Sequence, residues 1–317
     1  MFKKYFKWLP IFIFTFVLGG CSLFNNEEPV DDNSNGNGSE EVDGDHTNGQ
    51  SEEDEQDQDV ATWMPRLDDV IYSFEGVGNE FATFSWTPQF NQDNYYQIVK
   101  NNGGTIMAEI YEYREDEVVR IFTRPETYFR DNFHDIGSIE SDSPEEVVLK
   151  APIAVGTTWS GADSEYEITA IDMEITVPAG TYQTIEVTQT YSDSVTKRYY
   201  ARDVGLVYEH FESDGLVVES SLDSIATDTP EAYSFIVYVP DAQAMGMDTV
   251  DAELKLYTND PARVAITELL SGQNSEFPEI NILPEGTEIN YLFLNNENIV
   301  EVDVSEEFEQ MNAGSTG

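Results

Sequence analysis

From Trp63 to about Ser224, apolar and polar residues alternate in short runs, and this alternation limits the possible folds more than any other feature of the chain. Phe81-Ala-Thr-Phe-Ser-Trp86, Ile106–Tyr113, Val118–Phe122, Tyr166–Ile171, Ile185–Tyr191 and Arg198–Tyr200 are all rich in β-branched and aromatic residues. A period of two sends successive side chains to opposite faces of a strand. Asn101-Asn-Gly-Gly104 and Asp214-Gly215 have the composition of hairpin turns. Few stretches carry a helical period. The expectation is an antiparallel β domain over 63–228 with one face packed. Cys21 is the only cysteine, so no disulfide within the chain supports this domain.

The residues ahead of the domain have the opposite character. Between Asn25 and Asp59 there are 14 acids and no Lys or Arg, set among Asn, Gly, Ser and Gln. Such a segment buries too little apolar surface to offset the entropy of ordering. We read residues 21–62 as a disordered acidic linker, with a reach on the order of 35 Å. Asp31, Asn33, Asn35 and Gly36 match the first half of a calcium loop. However, Val42 stands where the closing glutamate belongs, and Glu41 is one residue early, so a solvated linker is the simpler reading. The whole chain has a formal charge of −47. That balance excludes nucleic acid as a partner, because phosphates are repelled. It also fits a host living in salty or alkaline medium.

Lys3, Lys4 and Lys7 precede an apolar run from Trp8 to Leu18, too short for a bilayer span, and the run ends in Leu18-Gly19-Gly20-Cys21. This sequence resembles the lipobox of bacterial lipoprotein precursors. The resemblance implies that residues 1–20 are a signal peptide, that Leu18, Gly19 and Gly20 are read by the peptidase, and that Cys21 takes a diacylglyceryl lipid. Two acyl chains hold a protein firmly where one does not. The expected location is the extracytoplasmic face of the cell membrane.

Two further resemblances concern the folded part. Val155-Gly-Thr-Thr-Trp159, Val177-Pro-Ala-Gly-Thr-Tyr182 and Tyr199–Val207 resemble a β module of bacterial surface lipoproteins, over about 149–212. This one implies a fold and no catalytic residue. After Ser224 the rhythm changes. Ser234–Val239 and Ala252–Tyr257 read as strands. Asp260-Pro261 reads as the N-cap and first position of a helix that stops at Gly272. Ile289–Leu294 and Ile299–Val304 read as a hairpin around Asn295-Asn296. The helix end with Leu270 and Gly272, the turn with Pro284, Gly286 and Thr287, and Asp303 and Ser305 near Phe308 together resemble the GerMN domain of sporulation and spore-germination lipoproteins. The resemblance implies a small α/β domain over 229–317. Gln273 stands where the family usually has Pro. The family also continues past Gly317 with a helix and a strand that joins the sheet, so an open sheet edge is expected here.

The search for chemistry is short. His46, His134 and His210 are far apart in sequence, and no cysteine or close-spaced histidine supports a metal site. No nucleophile elbow, P-loop or dinucleotide fingerprint occurs. Carboxylate pairs such as Glu145-Glu146 are too numerous to mark a glycosidase. Asp303 with Ser305 reads either as a family binding surface or as a solvent-facing Asp beside a capping Ser. Trp86 and Trp159 read as core, and Tyr95, Tyr96, Tyr111 and Tyr113 as core or as a sugar- or protein-binding face. The overall expectation is an α+β, non-enzymatic envelope lipoprotein without cofactor or metal. It would associate with envelope or sporulation proteins; the alternative is a β domain that binds a lipid, peptide or glycan fragment.

Overall fold

The computed structural model describes residues 59–136, 141, 143–241, 243, 245–295 and 299–310. The chain clusters into Met1–Gly49 and Gln50–Gly317, and every described residue lies in the second unit. Leu18, Gly19, Gly20 and Cys21, the acidic linker up to Gln58 and the partial calcium loop therefore lie outside the described residues.

The first described turn starts a little ahead of the expected boundary. Asp59 caps the short helix α1 (Val60–Trp63) by accepting the Ala61 N–H at 2.9 Å. Val60 and Trp63 are buried in the main core.

Twelve antiparallel strands follow: β1 (Ile71–Val77), β2 (Phe84–Gln92), β3 (Tyr95–Asn101), β4 (Ile106–Tyr113), β5 (Glu117–Arg124), β6 (Glu146–Lys150), β7 (Thr158–Ser160), β8 (Glu165–Val177), β9 (Gly180–Thr190), β10 (Ser194–Ala201), β11 (Gly205–Ser213) and β12 (Leu216–Ala226). They form one sheet in the order β6-β5-β4-β3-β2-β1-β12-β11-β10-β9-β8-β7. The sheet is two meanders, joined where β1 pairs with β12 through Phe74↔Leu222 and its neighbours. The lipoprotein-like stretch at 149–212 supplies most of the second meander and is not a separate body.

The sheet curls until its two edge strands face each other. The Trp159 indole on β7 donates to the Val147 carbonyl on β6 at 2.9 Å. Tyr166 and Gln189 donate to the Glu146 carboxylate from the same side. Side chains thus occupy an edge that would otherwise present bare backbone groups, and the barrel is nearly closed. Tyr96, Ile98, Tyr111, Leu149, Trp159, Ile168 and Ile185 fill its interior. Trp86 is half-buried and stacks on Tyr72 with ring centroids 4.0 Å apart.

The expectation of one packed face fails on β2–β5. Residues 126–136, including α2 (Phe133–Ile136), lie over the outer face there. Val99, Ala108, Ile110 and Phe122 pack against Phe133. This part of the sheet is covered on both sides.

Beyond the barrel, β13 (Glu231–Pro240) pairs with β14 (Met247–Leu256). Helix α3 (Ala262–Leu270) packs on one face of that hairpin, through Leu269 against Val237, Ala252 and Leu254. The hairpin β15 (Ile289–Leu294) with β16 (Val300–Val304) forms a separate two-stranded sheet. The single sheet expected of a small α/β domain is not formed among the described residues. The stretch between α3 and β15 folds back on itself through the isolated bridge Ser271↔Asn281.

Candidate functional site

Arg130 holds the C-terminal segment against the barrel. Its guanidinium is fully buried and donates to the Gln89 carbonyl (2.7 Å), the Tyr257 carbonyl (2.7 Å), the Asp260 carbonyl (3.1 Å) and the Glu231 carboxylate (2.9 Å). Gln89 also donates to Glu231 and to the Tyr233 hydroxyl. Asn259 is stitched to β2 in both directions: its N–H donates to the Gln89 carbonyl, and its side chain accepts the Asn91 N–H. One planar cation with five donors satisfies three carbonyls and a carboxylate at once, which a lysine could not do.

Asp260 does not cap α3 as expected. Its carboxylate accepts the Tyr257 N–H at 2.9 Å, and Pro261 occupies the N-cap position with no side-chain bond to the helix. The helix end is as expected. Gly272 has φ +72°, and the Gln273 N–H returns to the Glu268 carbonyl at 3.0 Å, a Schellman closure. That N–H is one a proline at 273 would lack, so this chain uses the position differently from its usual occupant.

The remaining motif positions are also structural. Leu270 packs in the cluster beneath α3. Pro284 accepts the Thr287 N–H at 3.1 Å across Gly286, which closes a tight turn. Thr287 is buried and its hydroxyl has no partner among the described residues. Asp303 is exposed and accepts from Asn290 at 3.2 Å. Ser305 accepts the Glu288 N–H on its hydroxyl and receives the Phe308 N–H on its carbonyl. It therefore ties Glu288, just ahead of β15, to the 3-10 turn Glu306–Gln310, a wider role than the capping read from sequence.

Both hairpins turn apolar residues to solvent. On β13–β14 these are Ile236 (62% exposed), Tyr238 (59%) and Met247 (60%); on β16 they are Val300 and Val302. Each hairpin strand also keeps an unpaired edge among the described residues. Lys255 and Arg263 are the only bases between 229 and 317, so these faces sit in a strongly negative field.

Residues 236–317 match the Germane family, sporulation and spore germination.

The Germane-like segment thus takes in the second half of β13, then β14, α3 and the second hairpin. No curated protein matches the chain. Two solved structures resemble it. One is a protein assigned as exported, with a YmcC-like fold, from Bacteroides fragilis NCTC 9343, at 10% identity and TM-score 0.32, covering 51% of this chain and 98% of that one. The other is a protein assigned as a lipoprotein from Parabacteroides distasonis ATCC 8503, at 14% identity and TM-score 0.25, covering 51% and 97%. Likeness at that level carries no argument about function.

The tyrosines expected as a possible binding face do not form one. Tyr96 and Tyr111 are buried inside the barrel, where Tyr96 donates to the Leu67 carbonyl and Tyr111 to Glu109. Tyr113 is half-buried and donates to the Met64 carbonyl. Tyr95 faces the other side and lies over His134. Adjacent residues on a strand point opposite ways, so the two neighbouring tyrosines could not share a face.

The barrel interior is charged as well as aromatic. Arg120 pairs with Glu109 at 3.3 Å and with Glu146. Arg198 pairs with Glu209 at 2.6 Å and donates to Gln189 at 2.8 Å. Burial opposes ionisation of Glu209, but Arg198 outweighs it and holds the carboxyl below its usual range. The space between these groups is about 150 Å³, below the roughly 300–1,000 Å³ of small-molecule pockets.

His210 pairs with Glu219 at 3.2 Å and His134 lies beside Asp135. Among the described residues no three His, Cys, Asp or Glu side chains gather where they could hold a metal, and no helix is long and apolar enough to cross a membrane.

Sequence reasoning missed Arg130 and Asp131, which lie between strands without a periodic pattern. The Phe-Arg-Asp-Asn-Phe run at 129–133 gave one signal, since charges set among aromatics point to a partly buried loop.

Proposed function

We propose that this chain is a lipid-anchored, non-enzymatic protein of the cell envelope, and that its Germane-like segment works by binding another protein in sporulation or germination. The observation that carries the reading is the pair of open-edged hairpins with apolar faces inside the segment that matches the family. Unpaired strand edges recruit further strands, and exposed apolar patches mark contact surfaces. The acidic surround favours a partner with a basic contact face. The lipid on Cys21 and the linker of residues 21–62 would hold the folded part at a distance from the membrane.

Two experiments test this. Labelling cells with an alkyne fatty acid should mark the protein, and Cys21→Ser should abolish both the label and membrane retention. A strain lacking the chain should sporulate or germinate poorly. Complementation should succeed with the native chain and fail with an Ile236→Glu, Tyr238→Ser variant that keeps its circular dichroism spectrum. A deletion strain that forms and germinates spores normally would overturn the reading.

A further inference from the structure

Where the barrel meets the C-terminal segment, a cleft encloses about 490 Å³, within the usual size range of small-molecule sites. Phe90, Phe129, Asp131 and Asp135 line it from the barrel side, and Arg263 and Tyr291 from the other.

Asp131 is 7% exposed. Its backbone carbonyl accepts from Gln97 at 2.7 Å, but among the described residues no hydrogen bond reaches its carboxylate. Burial pushes this carboxyl up to about 7, against the pull of Arg124. Its charge is felt across the cleft: burial first, then Glu301, then Asp131 raise the Tyr291 phenol. A carboxyl this far covered, open only to the cleft and with no donor on it among the described residues, is costly to ionise.

The opposite wall has the opposite sign. Helix α3 opens here on Pro261, which offers its N–H groups no side-chain acceptor. Among the described residues the Ala262 and Arg263 N–H groups find no acceptor either. Among the described residues the Arg263 guanidinium makes a single hydrogen bond, to the Ile289 carbonyl at 3.3 Å. A helix N-terminus with free N–H groups beside a guanidinium attracts carboxylates. Arg130 also borders the cleft, but its side chain is fully buried and four of its five N–H groups already serve Gln89, Tyr257, Asp260 and Glu231, so Arg263 is the more open cation.

We propose that this cleft binds a small zwitterion, with an ammonium and a carboxylate on one apolar body, as in a free amino acid. The ammonium pairs with Asp131, and Asp135 at the rim adds to the attraction. The carboxylate meets Arg263 and the first N–H groups of α3. The apolar body lies against Phe90, Phe129 and Tyr291. A simple amine would leave the helix end and Arg263 uncompensated, and a simple anion would face Asp131. A ligand held this way touches both the barrel and the Germane-like segment, so it couples the two parts.

The test uses the full chain in detergent at pH 8, with L-phenylalanine as probe, read by calorimetry and saturation-transfer NMR. L-phenylalanine should bind saturably. Its amide and its N-acetyl derivative should each bind at least about tenfold more weakly, equivalent to about 1.4 kcal/mol. Asp131→Asn and Arg263→Gln should each cost a similar factor, while Asp131→Asn melts at a higher temperature than the native chain. That combination separates a ligand-binding carboxylate from a structural one, whose loss would lower the melting temperature. If the masked derivatives bind as well as the free amino acid, or if neither L-phenylalanine nor L-leucine saturates at millimolar concentration, the proposal fails. The association reading is untouched by that failure, since it is measured by complementation.

Discussion

Three residues at the barrel–segment junction and in the C-terminal turn carry much of the local energetics. Arg130 is a fully buried cation whose main carboxylate partner, Glu231, is itself largely covered. Removing one member of such a pair leaves an uncompensated charge and costs about 3–5 kcal/mol. Arg130→Ala should therefore lower the urea midpoint by that equivalent. Asp131 works in the other direction. Folded, it keeps its proton up to about pH 7; unfolded, only to about pH 4. Between those values the native state binds more protons, so stability falls as pH rises through the window. The span corresponds to a ceiling on the order of 4 kcal/mol. The charged groups around it are Arg124, Arg130, Asp135 and Arg263, with the Tyr291 phenol across the cleft. Asp131→Asn should flatten the slope between pH 4 and 7 and stabilise the protein above pH 7, with little change at pH 4, as read from urea melts across the series. Thr287 is simpler: its buried hydroxyl has no partner among the described residues. Thr287→Val keeps the shape and removes that hydroxyl, which should raise stability by about 1 kcal/mol in thermal melts.

At the scale of elements, turns and caps were the most legible features. Asp214-Gly215 joins β11 to β12 as a two-residue hairpin, with φ +47° and +83° at the two positions, the left-handed pair that Asp-Gly supplies readily. The expected strand Ile106–Tyr113 coincides with β4. The stop at Gly272 was equally readable, because few other residues fit a left-handed C′ position. Gly272→Ala should cost about 1–2 kcal/mol from backbone strain. The added methyl would also meet the Asn281 Cβ at 3.1 Å. Amide exchange should then quicken in the last turn of α3 before it does in the barrel. The start of α3 was less legible. Asp-Pro is a sound cap signal, but Asp260 is drawn back to the Tyr257 N–H because its own carbonyl serves Arg130. A long-range contact decided that local choice.

For the whole molecule, charge is the dominant global term. The chain stands at −47, and loss of Lys3, Lys4 and Lys7 with the signal would take it to −50. Self-repulsion of that size opposes compaction, and salt screens it over about 8–10 Å. The melting temperature of the mature protein should rise as sodium chloride increases from low to molar levels. A falling melting temperature would mean that specific ion pairs such as Arg198–Glu209 outweigh the net charge. Within the molecule, positive charge is concentrated where structure needs it. Arg120 and Arg198 are inside the barrel and Arg130 is at the junction, and the surface of the Germane-like segment is left acidic.

The sequence by itself determined that the domain is antiparallel β, marked six of its strand stretches (the first of them three residues early, since β2 starts at Phe84 and not Phe81), and showed where α3 ends and which segment resembles the spore-related family. All of these follow from local rules: side-chain period, left-handed turn positions and capping. Only the tertiary structure decided that β1 pairs with β12, that the sheet curls until Trp159 meets Val147, and which tyrosines lie inside. It also brought Arg130 and Asp131 to the junction. Period two says that alternate residues face opposite ways, but not which side is covered. On β2–β5 residues 126–136 cover the outer side, so Tyr96 and Val99 are both buried from opposite faces. Strand pairing between distant segments and burial by a loop depend on contacts far apart in the chain, and no local pattern encodes them.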